Sequence, residues 1–407
     1  MAAKGNGAMT ARNKQFGEPN AALSASRRSH VEPFIAMEVL REANQLEASG
    51  ADILHLEVGQ PGTQAPLLAR EAAKMAIDDQ ALGYTDALGI LPLRERISQH
   101  YRDTYGLNVP VERIAVTTGS SGGFILSFLA AFDPGDRVAL AVPGYPAYFN
   151  TLEALGLEVE MLDTGAETRW APTADQILAR HRANPLSGLL LASPGNPTGT
   201  MLLPDDLAAL VEVSSANNIR VISDEVYHGL TYDEPAETAL KYSDDVIIVN
   251  SFSKYYSMTG WRIGWLVLPE NLARTVECLA QSLYISVPTV SQHAAIAAFD
   301  ATDELEANKA VYASNRELLA RRLPEIGLGN FLPMDGAFYA YIDVSAYTND
   351  SRDFASRLLR EAHVALTPGA DFDRTNGHRY VRLSFAGKHE VIVAAIERIE
   401  NWLQSCD

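Results

Sequence analysis

At 407 residues the chain exceeds what one ordinary hydrophobic core serves, which predicts about two domains, or one large α/β domain with an appendage. Hydrophobic residues make up 47% and charged residues 21%, the make-up of a soluble globular chain. Lys and Arg number 33 against 51 Asp and Glu, a net charge of −18, and so acidic a surface repels phosphate backbones and anionic lipid, excluding nucleic acid and membrane surfaces as expected partners.

The first residues, Met1 to about His30, have no apolar segment of the kind a secretory signal needs and read as a flexible leader. No apolar run reaches the roughly 18 residues of a membrane span. Cys278 and Cys406 lie far apart with no CxxC pair, so neither a disulfide framework nor a metal site is indicated, and a reducing, cytoplasmic setting fits.

Helical periodicity is legible over 31–49, with Ile35, Val39 and Leu46 along one side. Then a pattern repeats in which short β-branched runs end in loops rich in Gly, Pro, Ser or Asn. Buried strands are predicted at Ile114–Thr118, Val138–Val142, Leu189–Ser193, Arg220–Ser223, Val246–Asn250 and Gly264–Leu268. Helices are predicted among them at Gly123–Phe132, Asp205–Ala216 and Leu272–Ser282. Such alternation predicts an α/β domain with a mainly parallel sheet flanked by helices. From about residue 297 the character changes to a long charged helix (Glu304–Leu323), a strand-like Ala337–Ile342, a helix at Ser351–Glu361, a strand at Tyr380–Phe385 and a last helix at Glu390–Leu403. The expected organisation is a large domain over 57–296 and a smaller α+β domain from 31–56 and 297–407.

The polar residues gather where these strands end, and in an open parallel sheet ligands sit outside the carboxyl ends of the strands. Gly119-Ser120-Ser121-Gly122-Gly123 stands between strand and helix, where free N–H groups make an anion site suited to phosphate. Tyr145 could stack on a heteroaromatic ring. The prolines and glycines of Ser193-Pro194-Gly195-Asn196-Pro197-Thr198-Gly199 fix an irregular backbone that aims the Asn196 amide. Asp224 ends a buried strand, where a carboxylate needs a cationic partner such as a protonated pyridine nitrogen, and Tyr227 could donate to a ring oxygen nearby. Lys254, after Ser251 and Ser253, follows another buried strand. A desolvated lysine of depressed pKa can form a Schiff base with an aldehyde, and the two serines and Arg262 suit a phosphate on that aldehyde. Arg382 leads a C-terminal strand and could grip a carboxylate as a fork. Taken alone each has a plainer reading as a loop lysine, a structural carboxylate, a turn or a surface arginine. Together they supply every contact that pyridoxal phosphate (PLP) needs.

The stretch Ser251-Phe252-Ser253-Lys254-Tyr255-Tyr256-Ser257-Met258-Thr259-Gly260-Trp261-Arg262-Ile263-Gly264 resembles the lysine signature of class I/II aminotransferases of PLP fold type I. Gly83-Tyr84-Thr85, Asn196-Pro197-Thr198-Gly199, Asp224-Glu225-Val226-Tyr227 and Arg382-Leu383-Ser384 are similar to that family in the family's order. The resemblance implies that Lys254 is the Schiff-base lysine and proton shuttle, that Asp224 pairs with the pyridinium, and that Tyr227 and Asn196 hold the ring oxygen. It further implies that Tyr145 stacks on the ring, and that Gly119, Ser120, Ser121, Ser251, Ser253 and Arg262 surround the phosphate. Tyr84 would reach the phosphate of a neighbouring subunit, which implies a homodimer. Arg382 would grip the substrate carboxylate beside the backbone of Gly59, and amino groups would pass between amino acids and 2-oxo acids in ping-pong fashion. Aspartate-selective members carry a second cation for the side-chain carboxylate. Here Ser282–Gln292 holds no Arg or Lys, and Ser121 or Gly122 stands where another version has lysine, so a neutral amino donor is expected.

Two rivals stand beside this reading. A PLP lyase or decarboxylase would use the same fold and lysine. Gly119-Ser120-Ser121-Gly122-Gly123 also fits the nucleophile-elbow pattern of a serine hydrolase, with Ser121 as nucleophile and Asp371 and His378 as partners. A non-catalytic PLP-binding regulator is disfavoured because no separate DNA-binding segment is visible.

Overall fold

A computed structural model describes residues 25–406. Most of the expected leader, residues 1–24, therefore lies outside the described residues. Its end is not structureless, however. Arg27–Ser29 form a single 3-10 turn, closed because Ser29 donates both its N–H and its hydroxyl to the Ser26 carbonyl.

The strands in chain order are β1 (Leu54–His55), β2 (Ile114–Thr117), β3 (Arg137–Val142), β4 (Glu158–Asp163), β5 (Gly188–Ala192), β6 (Arg220–Asp224), β7 (Ile247–Ser251), β8 (Gly264–Val267), β9 (Tyr339–Asp343), β10 (Val364–Ala365), β11 (Thr367–Pro368) and β12 (Tyr380–Ser384). Seven of them form one sheet in the order β2-β8-β7-β6-β5-β3-β4. Every neighbouring pair is parallel except the two made by β8, which runs against both β2 and β7. β4 was not expected. It is an edge strand in which Glu158 and Glu160, on the side of the Arg137 side chain, alternate with Val159 and Met161.

The central strands read as continuous apolar runs because both faces are covered. Leu189 and Leu191 of β5, Val221 of β6, Ile248 of β7 and Trp265 of β8 face one core, shared with the helices Leu67–Asp79, Leu91–Tyr105 and Pro204–Ala216. The residues between them, Leu190, Ile222, Ile247, Val249 and Leu266, face a second core with the helices Gly119–Ala131 and Glu270–Leu283. The helix after β2 begins at Gly119, four residues ahead of expectation. Its glycines serve packing: a Cβ on Gly123 would stand 3.1 Å from Leu266 and 3.3 Å from Val249, so this helix lies close on the sheet.

A third core gathers the helix Thr302–Glu325, the antiparallel sheet β11-β12-β9, and the helices Ser351–Ala362 and His389–Cys406. Leu56 joins it from the N-terminal side, and Val226, Tyr227 and Leu230 join it from the loop after β6. The helix Ile35–Ala48 leads to β1, which pairs in parallel with β10. The antiparallel β9–β12 pair sets Arg382 opposite Tyr341.

Gly199 ties the Asn196 loop to this third core. Its φ is +69°, and a Cβ there would fall 2.5 Å from the carbonyl oxygen of Tyr339, while its own carbonyl accepts from Gly336 N–H at 3.0 Å. Substituting Gly199→Ala combines left-handed strain with a backbone clash, and should destabilise the fold by about 2–4 kcal/mol. A lowered thermal midpoint in calorimetry is the expected result; an unchanged midpoint would show that the loop shifts freely away from β9.

Candidate active site

The carboxyl ends of β2, β3, β5, β6 and β7, together with the start of β8, open on one cleft of about 230 Å³. Of the residues singled out from sequence, Gly59, Ser120, Ser121, Tyr145, Asn196, Asp224, Tyr227, Ser253, Lys254, Arg262 and Arg382 all line it. Gly119 and Ser251 lie directly against this group. Tyr84 does not join them: it stands 83% exposed on its own subunit.

Lys254 sits in the turn after β7 and donates from Nζ to the carbonyl of Gly59 at 2.6 Å. Burial pushes its pKa down to about 8, and Arg382 adds to the drop while Asp224 opposes it. Asp224 is the last residue of β6. It accepts from Val226 N–H at 3.0 Å and from the hydroxyl of Tyr148, yet burial still raises its pKa to about 6. A buried carboxylate so short of positive charge fits a protonated ring nitrogen.

Tyr227 shares a hydrogen bond of 2.7 Å with Tyr339, and burial first, then Tyr339, holds its phenol protonated. When Tyr339 donates in that pair, the Tyr227 proton is free for a ring oxygen. Asn196 is oriented by Arg382, which donates to its Oδ1 at 2.8 Å. A guanidinium has no acceptor, so the Asn196 oxygen must face it, and the amide N–H₂ turns to the cleft. Tyr145 borders the cleft edge-on to Tyr148, at 5.4 Å between ring centres.

The phosphate end is built by a close approach. Gly119 has φ +73°, and a Cβ on it would lie 2.4 Å from Nη2 of Arg262, so only glycine lets the guanidinium rest against the helix start. The first turn of that helix has no side-chain cap, leaving the N–H groups near Ser120 and Ser121 for an anion. Ser251 and Ser253, both buried, are hydrogen-bonded to each other, and Ser253 N–H donates to Ser251 Oγ at 3.0 Å. These donors, the buried amine and the carboxylate fit the phosphate, aldehyde and pyridine of PLP.

Arg382 is 4% exposed. It donates to the carbonyl of Glu57 and to Thr367 Oγ1 at 3.2 Å, and its guanidinium lies between the rings of Tyr339 and Phe372 at 4.6 and 4.7 Å. Its buried Nε has no hydrogen-bond partner. Gly59 is required beside it, since a Cβ there would fall 1.9 Å from the Tyr339 hydroxyl.

Sequence reasoning missed several of these contributors. Tyr148 follows Tyr145 by three residues on the helix Pro146–Leu155, a spacing that puts both on one side. Tyr339 was inside an expected strand with nothing to distinguish it from core. Phe34, Met37 and Phe372 also line the cleft. The hydrolase arrangement does not form. Asp371 spends its carboxylate on the N–H groups of Ile35 and Ala36 at 2.7 and 3.2 Å, and exposed His378 faces the Thr375 carbonyl. Neither is hydrogen-bonded to Ser121.

A buried lysine, a carboxylate placed for a pyridinium and a phosphate cradle at the strand ends of an α/β sheet define a PLP-dependent enzyme. Residues 51–399 match the family model for aminotransferase class I and II, and the chain belongs to that family. It is 48% identical over 382 residues to a valine–pyruvate aminotransferase of Mycobacterium tuberculosis, covering 93% of this chain and 98% of that one. With an aspartate aminotransferase of Thermotoga maritima the identity is 31%, over 91% of this chain and 96% of the relative. Among solved structures, an aminotransferase from Mycobacterium tuberculosis superposes with a TM-score of 0.92 at 47% identity, covering 94% of this chain and 99% of that one. The aspartate aminotransferase of Thermus thermophilus with maleate gives 0.88 at 30%, covering 93% and 99%. The chain is a PLP-dependent amino-acid transaminase; lyase and hydrolase readings are not favoured.

Because only the neutral amine attacks an aldehyde, the pKa of Lys254 sets how fast stripped protein recaptures PLP. The capture rate, followed by cofactor absorbance, should rise with pH through about 8 and level off above it. A rate still climbing steeply to pH 10 would contradict a desolvated Lys254.

Proposed function

We propose that this transaminase takes neutral, aliphatic amino acids of the valine type as donors and a small 2-oxo acid such as pyruvate as acceptor. The carrying observation is the cleft's charge. Among the described residues lining it, the cations are Lys254, Arg262 and Arg382, each committed to aldehyde, phosphate or α-carboxylate, while Phe34, Met37, Val58, Phe124 and Phe372 supply apolar surface. The name of the 48%-identical relative supports the same class.

Bound in the cleft, PLP supplies an electron-withdrawing pyridinium that loosens the α-hydrogen of an amino acid joined to it. Asp224, held by Tyr148 and Val226, keeps the ring nitrogen protonated. Arg382 binds the α-carboxylate as a fork, with Asn196 and the backbone of Gly59 beside it. Lys254 Nζ, with a pKa of about 8, would serve as the base that takes the proton from the α-carbon. The same residues run the reverse sequence with the second oxo acid, giving ping-pong kinetics.

The reading includes a homodimer in which Tyr84 reaches the phosphate site of the other subunit. Its 83% exposure supports this, as do the exposed Met75, Ile77, Leu283 and Ile285. It also includes a large domain over 57–296 and a smaller one from 31–56 and 297–407 with the cleft between them, supported by the separate third core. A cytoplasmic location suits the exposed free thiol of Cys278. No helix among the described residues is long and apolar enough to cross a membrane.

Single amino acids added to the PLP-loaded protein without acceptor should bleach the cofactor band, with valine, leucine and alanine ahead of aspartate and glutamate in kcat/KM. A preference for aspartate or glutamate would overturn the neutral-donor reading. Substituting Tyr84→Phe should weaken PLP retention by about tenfold, the loss of one hydrogen bond to a charged group, in a protein that sediments as a dimer. A monomer with full PLP affinity would remove the shared site.

A further inference from the structure

Tyr339 is a wholly buried residue of β9, set opposite Ser384 of β12. Its ring centre lies 4.6 Å from the Arg382 guanidinium, a contact that a phenylalanine would make as well. Its hydroxyl needs a separate reason. Room is kept for it by Gly59, where a Cβ would fall 1.9 Å away. Among the described residues that hydroxyl has one hydrogen-bond partner, the hydroxyl of Tyr227 at 2.7 Å, and Tyr227 in turn has no other.

Two hydroxyls that share one bond leave one proton over. It belongs to Tyr339 if Tyr227 donates, and to Tyr227 if Tyr339 donates. The surrounding charges decide between them. Burial raises the pKa of both phenols, and raises Tyr227 the further. Arg382 opposes the rise at both, but at Tyr227 the neighbouring Tyr339 outweighs it and Asp224 adds to the rise. Tyr339 is therefore the stronger acid and the better donor, and the spare proton is that of Tyr227, on the wall of the cleft. Hydrogen bonds in series polarise one another, each strengthening the next by about 10–30%.

We propose that Tyr339 is a positioning residue for the cofactor: it donates to the Tyr227 hydroxyl, aims the Tyr227 proton at the ring oxygen of PLP, and thereby lowers the pH at which the linkage between Lys254 and PLP gives up its proton. The direction follows from charge. The ring oxygen is the negative partner of the protonated linkage, and every donor on that oxygen weakens the attraction. The proposal rests on the assignment of Tyr227 to the ring oxygen. The other titratable groups facing the cleft are Lys254, Arg262, Arg382, Asp224 and Asp371, with the phenols of Tyr145 and Tyr148. None of these, among the described residues, is hydrogen-bonded to either hydroxyl of the pair.

The test follows cofactor absorbance against pH, without substrate, in the PLP-loaded wild type, Tyr339→Phe, Tyr227→Phe and the double variant. Tyr339→Phe keeps a ring beside Arg382 and removes only the hydroxyl. The midpoint of the absorbance transition should move up by about half a pH unit, the share of a charge-assisted bond that one cooperative partner supplies. Tyr227→Phe should move it further. In that background Tyr339→Phe should add nothing, because a residue that acts through Tyr227 has no effect without it. A midpoint unmoved by Tyr339→Phe but shifted by Tyr227→Phe would overturn the proposal and leave the Tyr227 assignment standing. Equal shifts from Tyr339→Phe in both backgrounds would also overturn it. Should Tyr227→Phe leave the midpoint in place, that assignment falls and the proposal with it. Isovalerate binding is measured alongside: weaker binding with an unmoved midpoint in Tyr339→Phe would make Tyr339 a support for Arg382 alone, against the proposal.

Discussion

A guanidinium removed from water without a carboxylate to meet it governs much of this molecule. Arg382 is 4% exposed, and its hydrogen bonds go to a carbonyl, a hydroxyl and an amide oxygen. Its partners come from three parts of the chain: Glu57 near the N-terminus, Asn196 after β5, and Thr367 in the C-terminal sheet. Burying such a charge costs several kcal/mol unless neutral dipoles and a later counter-ion offset it. The Tyr339 and Phe372 rings on its two sides fix its plane. What remains is a preset fork whose missing partner is an anion. A substrate α-carboxylate, the contact proposed for Arg382, would balance a charge that the fold already holds among neutral dipoles.

The same imbalance sets the chemistry of Lys254. Burial and the neighbouring Arg382 favour the neutral amine, while Asp224 favours the ammonium. Asp224 in turn is raised to about 6 by burial, held back by Tyr148 and Val226. Each group is therefore poised, and a ligand carrying a ring cation toward Asp224 and an anion toward Arg382 changes both environments in the favourable sense. Tyr148 matters here because a hydroxyl donor can hold the Asp224 carboxylate without neutralising it, which a lysine or arginine would do.

Much of this was legible in the sequence, and the reasons are local. The strands β2, β3, β5, β6, β7 and β8 are buried on both faces, so their composition alone marks them. Lys254, Asp224 and Asn196 stand out because polar residues directly after such strands have few other uses. β4 was passed over although Glu158-Val159-Glu160-Met161 alternates, because an edge strand lacks the continuous apolar run that marks the buried ones, and the early start at Gly119 because helix propensity counts glycine against a helix without knowing that Leu266 and Val249 leave no room for a Cβ. Tyr339 and Phe372 escaped notice since an aromatic under a guanidinium looks, in sequence, like any core aromatic. Asp371 was noticed for the wrong partner: its link to Ile35 spans 336 positions, and no spacing rule reaches that far.

Relatives with aspartate aminotransferase activity share this fold at about a third of the residues, so the backbone cannot be what separates one donor from another. The separation must lie in the side chains that line the cleft. A cation there would make a distal carboxylate the best-bound group on the substrate. A lining of Phe34, Met37 and Phe372 offers that carboxylate no partner. A hydrophobic wall discriminates weakly between apolar side chains of similar size, but it leaves a charged one desolvated and without a partner. The proposed preference for a neutral donor therefore follows from what this lining withholds from a second carboxylate.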